Sequence, residues 1–239
     1  MNLTQTSNSQ QSQCVLRLQR VTLRGKASHG LPVHEVQLTA EAGRLIFIQH
    51  ERSHRTREFA SMIQGLVPPT SGQVLFNEQT WADVDYSRHF QMRSRIGRVF
   101  DGPAWIQNAN MMENVTLASR HHGASSGETR SRMRDWIKRF DIADVSRERP
   151  AFVEPALLQI YQWIRALIHR PTLLILERPM QLVSTRMLPK LIEAIDEIRR
   201  EGGCVLWMTN TPIETLDPDV LIQVQGRQWS YVNGDPCDE

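Results

Sequence analysis

The sequence has little cysteine, no long hydrophobic run and almost no net charge. The three cysteines, Cys14, Cys204 and Cys237, are few, odd in number and widely spaced, so they indicate neither a disulfide framework nor a metal cluster. No segment approaches the roughly 18 apolar residues that a membrane-spanning helix needs. The 28 basic and 26 acidic residues nearly cancel, which gives no indication of nucleic acid binding. These absences predict a protein of a reducing compartment, without nucleic acid and without direct membrane insertion.

The composition that remains is that of an ordinary globular chain. Hydrophobic residues make up 40% of the 239 positions, which is enough to bury a full core. Residues 1–13 are almost all Asn, Gln, Ser and Thr, so they predict a flexible tail ahead of a domain over residues 14–239. This start also lacks the charged and apolar regions of a signal peptide. We therefore expect a protein that is made and kept in the cytoplasm.

Two kinds of strand pattern occur along the chain. Alternating apolar and polar residues predict an antiparallel pair, whereas continuous apolar runs predict parallel strands that helices cover on both faces. The alternating segments are "CVLRLQRVTL" and "VHEVQLTA", and the continuous ones are "GRLIFI", "TLLILE" and "CVLWMT". The last pattern, "VLIQVQGRQWSYV", predicts a hairpin about Gly226.

Helical patterns separate the strands. Apolar residues at helical spacing predict a helix in each of the segments "ETRSRMRDWIKRF", "EPALLQIYQWIRALIHRP" and "TRMLPKLIEAIDEIRREGG". Pro189 fits the third segment only in a first turn, and Gly202 and Gly203 end it. The alternation of strands and helices predicts an α/β fold.

One loop has the setting of a phosphate site without its residues. The stretch "QHERSHRTREF", Gln49 to Phe59, follows an apolar strand and precedes a helical segment, but it contains no glycine and no lysine. A phosphate loop needs glycines so that backbone N–H groups can surround the phosphates, and it needs a lysine to neutralise their charge.

Several phrases in order resemble the nucleotide-binding domain of ABC transporters, from Val15 to Val232. They are "GLVPPTSGQVLFN", "RSRIGRVF", "MENVTLASRHHG", "RALIHRPTLLIL" and "VLWMTNTPIETL". The resemblance implies a P-loop NTPase-like ABC ATPase fold. That fold has a mostly parallel sheet core, an antiparallel β subdomain and a helical subdomain at about residues 101–168. The phrase "MENVTLASRHHG" also resembles the branch that serves bacterial lipid-transport permeases of the MCE type.

Under this resemblance the phosphate loop falls on "HERSHRTR", His50 to Arg57. Thr56 then occupies the lysine position, and Arg57 occupies the position of the magnesium-binding hydroxyl. The loop is interpreted either as a solvated basic loop or as an anion contact through Arg52, Arg55 and Arg57.

The resemblance assigns the other chemical positions as well. Glu177 stands where a carboxylate holds the metal shell, while Arg178 replaces the catalytic base with a cation that cannot accept a proton. Asp101 takes the place of a glutamine that reaches the metal, and Asn210 takes that of the histidine that senses the γ-phosphate.

The signature motif and two further positions also differ from the family. The signature falls on "VEPAL", where Glu154 would repel the γ-phosphate and Pro155 has no N–H to offer. The loop between subunits falls on "QLVS", Gln181 to Ser184, and Gly25 stands near the position of the adenine-stacking ring. These differences together predict a pseudo-ATPase without a nucleotide cofactor.

The segment after Asp101 corresponds to the groove that accepts a helix of the membrane permease. Large apolar residues occur there, Trp105, Ile106, Met111 and Met112, and residues of this kind anchor interfaces. Packing in the domain's own core is the other interpretation. The expected partners are an integral membrane permease and, as dimer partner, a second ABC ATPase subunit or a second copy. The expected location is the cytoplasmic face of the inner membrane.

The sequence leaves two alternative functions open, and its histidines indicate no metal site. A free-standing cytosolic scaffold or regulator would reuse the basic loop, and a residual ATPase would depend on Glu177. His50 and His54 lie four apart but lack a third ligand nearby, so no metal is assigned. His121 and His122 lie in a polar stretch and are predicted to be exposed.

Overall fold

The described residues form ten strands and six α-helices. The computed structural model describes residues 13–24, 29–213 and 215–234. Apart from Gln13, the predicted N-terminal tail therefore lies outside the described residues. The strands are β1 (Cys14–Leu23), β2 (Val33–Glu41), β3 (Leu45–His50), β4 (Ser71–Phe76), β5 (Gln79–Thr80), β6 (Ile96–Val99), β7 (Leu173–Glu177), β8 (Cys204–Thr209), β9 (Val220–Gln225) and β10 (Gln228–Asn233). The helices are α1 (Arg57–Ile63), α2 (Tyr86–Arg93), α3 (Met111–His121), α4 (Ser126–Arg139), α5 (Pro155–Leu167) and α6 (Leu188–Arg200).

The strands form two sheets. The smaller sheet has the order β2-β1-β4-β5 and its pairs are antiparallel. The larger has the order β10-β9-β3-β8-β7-β6 and is parallel except for the hairpin of β9 and β10. The predicted antiparallel pair, parallel core and hairpin about Gly226 are all confirmed.

Strand β3 shows how the larger sheet divides the core. Ile46 and Ile48 belong to the cluster shared with the antiparallel sheet and α1. Leu45 and Phe47 belong to the cluster built mainly from α3, α4, α5 and α6. Because successive strand residues point to opposite faces, a strand covered on both sides needs an unbroken apolar run.

Four predicted helices are confirmed, including α1, whereas α2 and α3 were not predicted. Helices α4, α5 and α6 occupy the segments with helical spacing, and Pro189 lies in the first turn of α6. The segment after Asp101, where no helix was predicted, contains α3. Its capping box joins Asn110 and Glu113, with the Glu113 amide 2.8 Å from Asn110 Oδ1 and the Asn110 amide 2.9 Å from Glu113 Oε2. The Asn-x-x-Glu spacing is the sequence signal for this start.

Helices α3, α4 and α5 all lie within residues 101–168, the range expected for a helical subdomain. The bounds of that subdomain stay a prediction. Across the described ranges, none of the helices combines the length and the apolar character needed to pass through a bilayer.

Gly97 lies where β6 packs closely against α5. A Cβ atom at this position would lie 2.3 Å from the carbonyl oxygen of Ala166, so we expect Gly97→Ala to destabilise the fold by about 1–3 kcal/mol. Urea unfolding followed by circular dichroism measures this. Gly127→Ala in α4 is the matched control, because nothing lies within 4 Å of its added Cβ, and it is expected to stabilise the fold by up to about 1 kcal/mol. Equal losses in both variants would contradict the close approach.

Candidate functional site

The loop between β3 and α1 is tied to the rest of the chain through its backbone. The Arg55 amide donates to the His29 carbonyl at 2.7 Å, and the Leu31 amide donates to the Arg55 carbonyl at 2.9 Å. The His54 amide donates to the Glu51 carbonyl at 3.1 Å. The amides of His54 and Arg55 are therefore engaged within the protein, whereas a phosphate loop directs such groups at its ligand.

Thr56 lies at the end of this loop and is completely buried. It precedes α1, but its side chain makes no capping hydrogen bond there. Instead Oγ1 donates to Glu177 Oε2 at 2.6 Å. The hydroxyl thus joins the loop to the last residue of β7.

Arg98 donates to the other oxygen of the Glu177 carboxylate. Its Nε lies 2.7 Å from Glu177 Oε1, and the two side chains are 3% and 0% exposed. The remaining donors reach Ser61 Oγ at 3.1 Å, Gln64 Oε1 at 2.8 Å and the Arg57 carbonyl at 3.0 Å. A buried charge is tolerated only when it is paired and hydrogen-bonded, and Arg98 meets both conditions.

Sequence reasoning missed Arg98, although it lies in the phrase "RSRIGRVF". The available signal was a single arginine inside an otherwise apolar strand. Arg98 pairs with Ile175 across the parallel ladder of β6 and β7, so an acidic residue ending the neighbouring strand was the natural partner. We call Thr56, Glu177 and Arg98 the buried triad.

A second ion pair lies beside the buried triad. Arg178 Nε donates to Asp101 Oδ1 at 2.9 Å, Nη2 contacts the same oxygen, and the side chains are 13% and 6% exposed. Arg178 has φ of +45°, a left-handed conformation that a residue with a Cβ rarely adopts. Arg55 Nη1 lies 4.0 Å from Asp101 Oδ2, and its side chain is 64% exposed. The positions expected for the catalytic base and the metal-reaching glutamine thus bind each other.

His50 is buried at the end of β3, next to this pair. Its Nδ1 lies 2.9 Å from the Glu51 carbonyl, and its ring centroid lies 6.3 Å from that of His54. Burial lowers the pKa of His50 below the usual histidine value, so its ring is neutral at pH 7. Among residues 13–24, 29–213 and 215–234, no group of three His, Cys, Asp or Glu side chains is placed to hold a metal ion.

Other predicted positions stay apart from these groups. Glu154 is exposed and immediately precedes α5, where Pro155 is the first residue. Asn210 Oδ1 accepts a hydrogen bond from Thr211 Oγ1 at 3.3 Å. Within the described part of the chain, neither residue shares a hydrogen bond or ion pair with the buried triad. Gly25 lies outside the described residues.

The four residues predicted to contact a permease differ in burial. Met111 is completely buried, so its predicted contact with a partner is wrong. Trp105 is only 9% exposed and lies in the cluster beneath the helices, which supports the alternative of core packing. Ile106 is 46% exposed and Met112 is half-buried. A partner contact through these last two stays a prediction.

Helix α5 holds the segment that contains Trp105. Gln162 accepts from the Phe100 amide at 2.9 Å and donates to the Gly102 carbonyl at 3.3 Å. Arg165 donates to the Ala104 carbonyl at 2.6 Å, and its guanidinium lies 4.3 Å from the Trp105 ring centroid. Burial lowers the pKa of Arg165 to about 10, so it stays protonated at pH 7 and retains the cation–π contact.

A protein-family model described as ABC transporter matches residues 58–181, just over half of the chain. The chain belongs to the ABC transporter family. The match begins at Glu58, immediately after the loop that departs from a phosphate-binding sequence.

Curated relatives in the same family are distant in sequence. An ABC transporter ATP-binding protein of Mycobacterium tuberculosis is 25% identical over 188 residues, which are 78% of this chain and 76% of the relative. The methionine import ATP-binding protein MetN 1 of Acinetobacter baylyi is 21% identical over 80% of this chain and 54% of its own length. The macrolide export ATP-binding/permease protein MacB 2 of Aeromonas hydrophila is 22% identical over 74% of this chain and 28% of its own length.

Solved structures of ABC ATPases share the fold. The ATP-binding cassette MJ0796, in a dimeric post-hydrolysis state bound to ADP and Pi, superposes with a TM-score of 0.78 at 20% identity. That match covers 92% of this chain and all of the other. An ATP-binding subunit of an ABC transporter superposes with a TM-score of 0.76 at 17% identity, over 91% of this chain and 90% of the other. The expected ABC ATPase fold is therefore confirmed.

The buried triad makes a quantitative prediction. Arg98→Met leaves the Glu177 carboxylate buried without its cation and should destabilise the fold by about 3–5 kcal/mol, because breaking a buried pair strands one charge. The double variant Arg98→Met with Glu177→Leu should recover part of this loss. Denaturant unfolding of the wild type, both single variants and the double variant gives the coupling energy.

Lys190→Met provides the control, since Lys190 pairs at 3.5 Å with an Asp141 side chain that is 89% exposed. Exposed pairs of this kind contribute about 1 kcal/mol or less. A loss in Arg98→Met no larger than in Lys190→Met would contradict a structural role for the buried pair.

Proposed function

We propose that this chain is a catalytically inactive ABC transporter subunit that docks on a membrane permease and has a structural or regulatory role in the complex. The observation that carries the proposal is the buried triad, in which both oxygens of Glu177 are already bonded to Thr56 and Arg98. The proposed location is the cytoplasmic face of the inner membrane.

The buried triad disfavours a metal ion at Glu177. Magnesium in nucleotide sites is held by carboxylate oxygens together with substrate phosphates and water. Here one oxygen of Glu177 accepts from Thr56, and the other lies 2.7 Å from the Arg98 guanidinium. A divalent cation would have to displace the hydroxyl and approach a buried positive charge, so the site favours the ion pair over the metal.

The second ion pair disfavours hydrolysis. Activation of the attacking water needs a group that accepts a proton, and a guanidinium does not. Arg178 is also held by Asp101, so neither side chain is free to orient a water molecule. Loss of metal binding and loss of the base at adjacent positions supports a pseudo-ATPase rather than a slow ATPase.

A second candidate function rests on the exposed arginines of the loop. Arg52, Arg55 and Arg57 are all exposed, so they can contact an acidic protein or ligand. In that case the chain is a free-standing cytosolic scaffold that reuses the fold. The third possibility, a residual ATPase, requires Glu177 to be released from the buried triad.

Nucleotide assays test the central proposal. We expect the purified chain to bind Mg·ATP no more than a non-specific protein does, and to release no phosphate above a heat-inactivated sample. The physical reason is that the loop lacks the glycines and the lysine that surround phosphates. Equilibrium dialysis with labelled ATP and a phosphate-release assay measure the two quantities. Turnover that disappears in Glu177→Gln would instead establish a residual ATPase.

The permease and the dimer partner are inferred from the family. One relative is named as an ATP-binding/permease protein and another as a methionine import ATP-binding protein. The cassette MJ0796 is described as dimeric. We propose a permease partner and either a second ABC subunit or a second copy of this chain. Lipid transport of the MCE type is proposed from the phrase "MENVTLASRHHG" alone.

The docking surface is tested at Ile106, which is 46% exposed. We expect Ile106→Glu to reduce recovery of a multi-spanning permease about tenfold or more, because a charge at the centre of an apolar contact is desolvated without a partner. Affinity purification of the tagged chain from detergent-solubilised cells, with mass identification, measures recovery.

Val232→Glu is the matched control, since Val232 is 55% exposed on β10. Equal recovery from the Ile106 and Val232 variants would place the docking surface elsewhere. Recovery of water-soluble partners alone would favour the scaffold.

A further inference from the structure

A cavity of about 410 Å³ lies where strands β6 and β7 begin, at the opposite end of these strands from the buried triad. Its lining residues come from the turn before β6, the end of α3, helix α4 and the turn before β7. The volume falls within the range of about 300–1,000 Å³ that small-molecule sites occupy. The family's nucleotide positions lie at the other ends of these parallel strands, so the cavity is a separate site.

The cavity is lined by basic and small polar side chains. Its charged and titratable members are Arg95, Arg132, Arg170, His122 and His169. None of the lining residues in the described part of the chain carries a carboxylate. A concentration of guanidinium and imidazole groups around one opening favours a ligand with negatively charged oxygens.

Two histidines that line this cavity each have a buried, unpaired ring nitrogen. The Nδ1 atoms of His122 and His169 are buried, and neither has a hydrogen-bond partner among the described residues. Buried polar atoms in native proteins are nearly always hydrogen-bonded. His122 was expected to be exposed, but it is half-buried, and its ring centroid lies 4.8 Å from that of Phe90. Both unpaired nitrogens belong to residues that line the same cavity.

Only some of the basic residues that line the cavity make polar contacts within the protein. Arg132 pairs with Glu128, and it also donates to the Ile168 carbonyl at 3.3 Å, near the end of α5. His122 follows α3, and its amide donates to the Ala118 carbonyl at 3.0 Å. These contacts satisfy carbonyls at two helix ends. Arg95 and Arg170 are exposed and make no such contact with their side chains in the described ranges.

The other charges around the cavity are few. His121 adjoins His122 on the exposed side, with a ring-centroid distance of 5.4 Å. The acids Asp135, Glu197 and Glu201 border a separate groove, which shares Arg132 and Arg170 with the cavity. The acids therefore lie beyond the arginines, and the cavity itself presents positive charge.

We propose that this cavity binds the phosphate group of a small phosphorylated ligand. Arg95 and Arg170 supply charged donors at its mouth, Arg132 supplies a third, and the rings of His122 and His169 form part of its wall. The volume leaves room for an organic part beside the phosphate group. Glycerol phosphate, either free or as a lipid headgroup, has this chemistry. The site goes beyond the proposed transporter role and does not depend on it.

The histidines give the site a pH dependence of defined sign. Burial lowers the pKa of His169 to about 4 and also lowers that of His122, so both are neutral at pH 7 without a ligand. A bound dianion favours the protonated imidazoles, and binding therefore takes up protons. The dissociation constant should fall as the pH falls from about 8 to about 6. Sulfate is the probe for this series, because its charge stays constant over that range.

The test follows the imidazole C–H signals by NMR while sulfate, inorganic phosphate or glycerol 3-phosphate is added. We expect the signals of His122 and His169 to shift in a saturable way. Arg95→Glu should weaken binding about tenfold or more, since it replaces a charged donor by a repelling carboxylate. Arg227→Glu, an exposed position on the opposite sheet edge, should leave it unchanged. Arg170→Glu is the second variant if Arg95→Glu does not fold.

Two binding measurements distinguish a free phosphorylated ligand from a lipid headgroup. Saturable binding of glycerol 3-phosphate supports a free ligand. Retention on vesicles of phosphatidylglycerol but not phosphatidylcholine, lost in Arg95→Glu, supports a lipid headgroup. The proposal is overturned if chloride at equal ionic strength produces the same shifts, if Arg227→Glu weakens binding as much as Arg95→Glu, or if neither histidine signal moves. ATP turnover is not a readout here, so failure of this site leaves the pseudo-ATPase proposal unaffected.

Discussion

The ion pair between Arg98 and Glu177 is the constraint on which the rest of the site depends. The two residues lie on neighbouring parallel strands, and their charges are removed from water together. Such a pair is tolerated because Thr56, Ser61 and other groups complete its hydrogen bonds. The same bonds attach the end of the loop and the first turns of α1 to the sheet. Glu177, which the resemblance assigned to the metal shell, therefore has a structural role in this chain.

The neighbouring groups extend this arrangement towards the helices. Asp101 is held by Arg178 at the edge of the sheet, and the segment that follows is held by Gln162 and Arg165 from α5. The backbone leading to Ile106 is thus fixed by contacts within the chain on two sides. Charge is neutralised pairwise along this edge, which explains how several arginines occupy one region without strong mutual repulsion.

Local sequence patterns predicted most of the fold but little of the site. Apolar runs and helical spacing identified the central strands and three helices, because burial on one or both faces leaves a periodic trace. Trp105 and Met111 have no such trace, so their apolar character alone could not distinguish core from interface. Arg98 was missed because its partner is 79 residues away. The environment of His122 likewise depends on segments that meet only in the folded chain.

The order of strands in the larger sheet has a consequence for biosynthesis. Strand β3 lies between β8 and β9, which are separated from it by more than 150 residues of chain. The antiparallel sheet uses residues 14–80 alone and can assemble early on the ribosome. The backbone groups along both edges of β3 must then wait for nearly the whole polypeptide, because β8 and β9 are synthesised near its end. The edges of β3 therefore stay unpaired through most of translation, and unpaired strand edges are prone to aggregate.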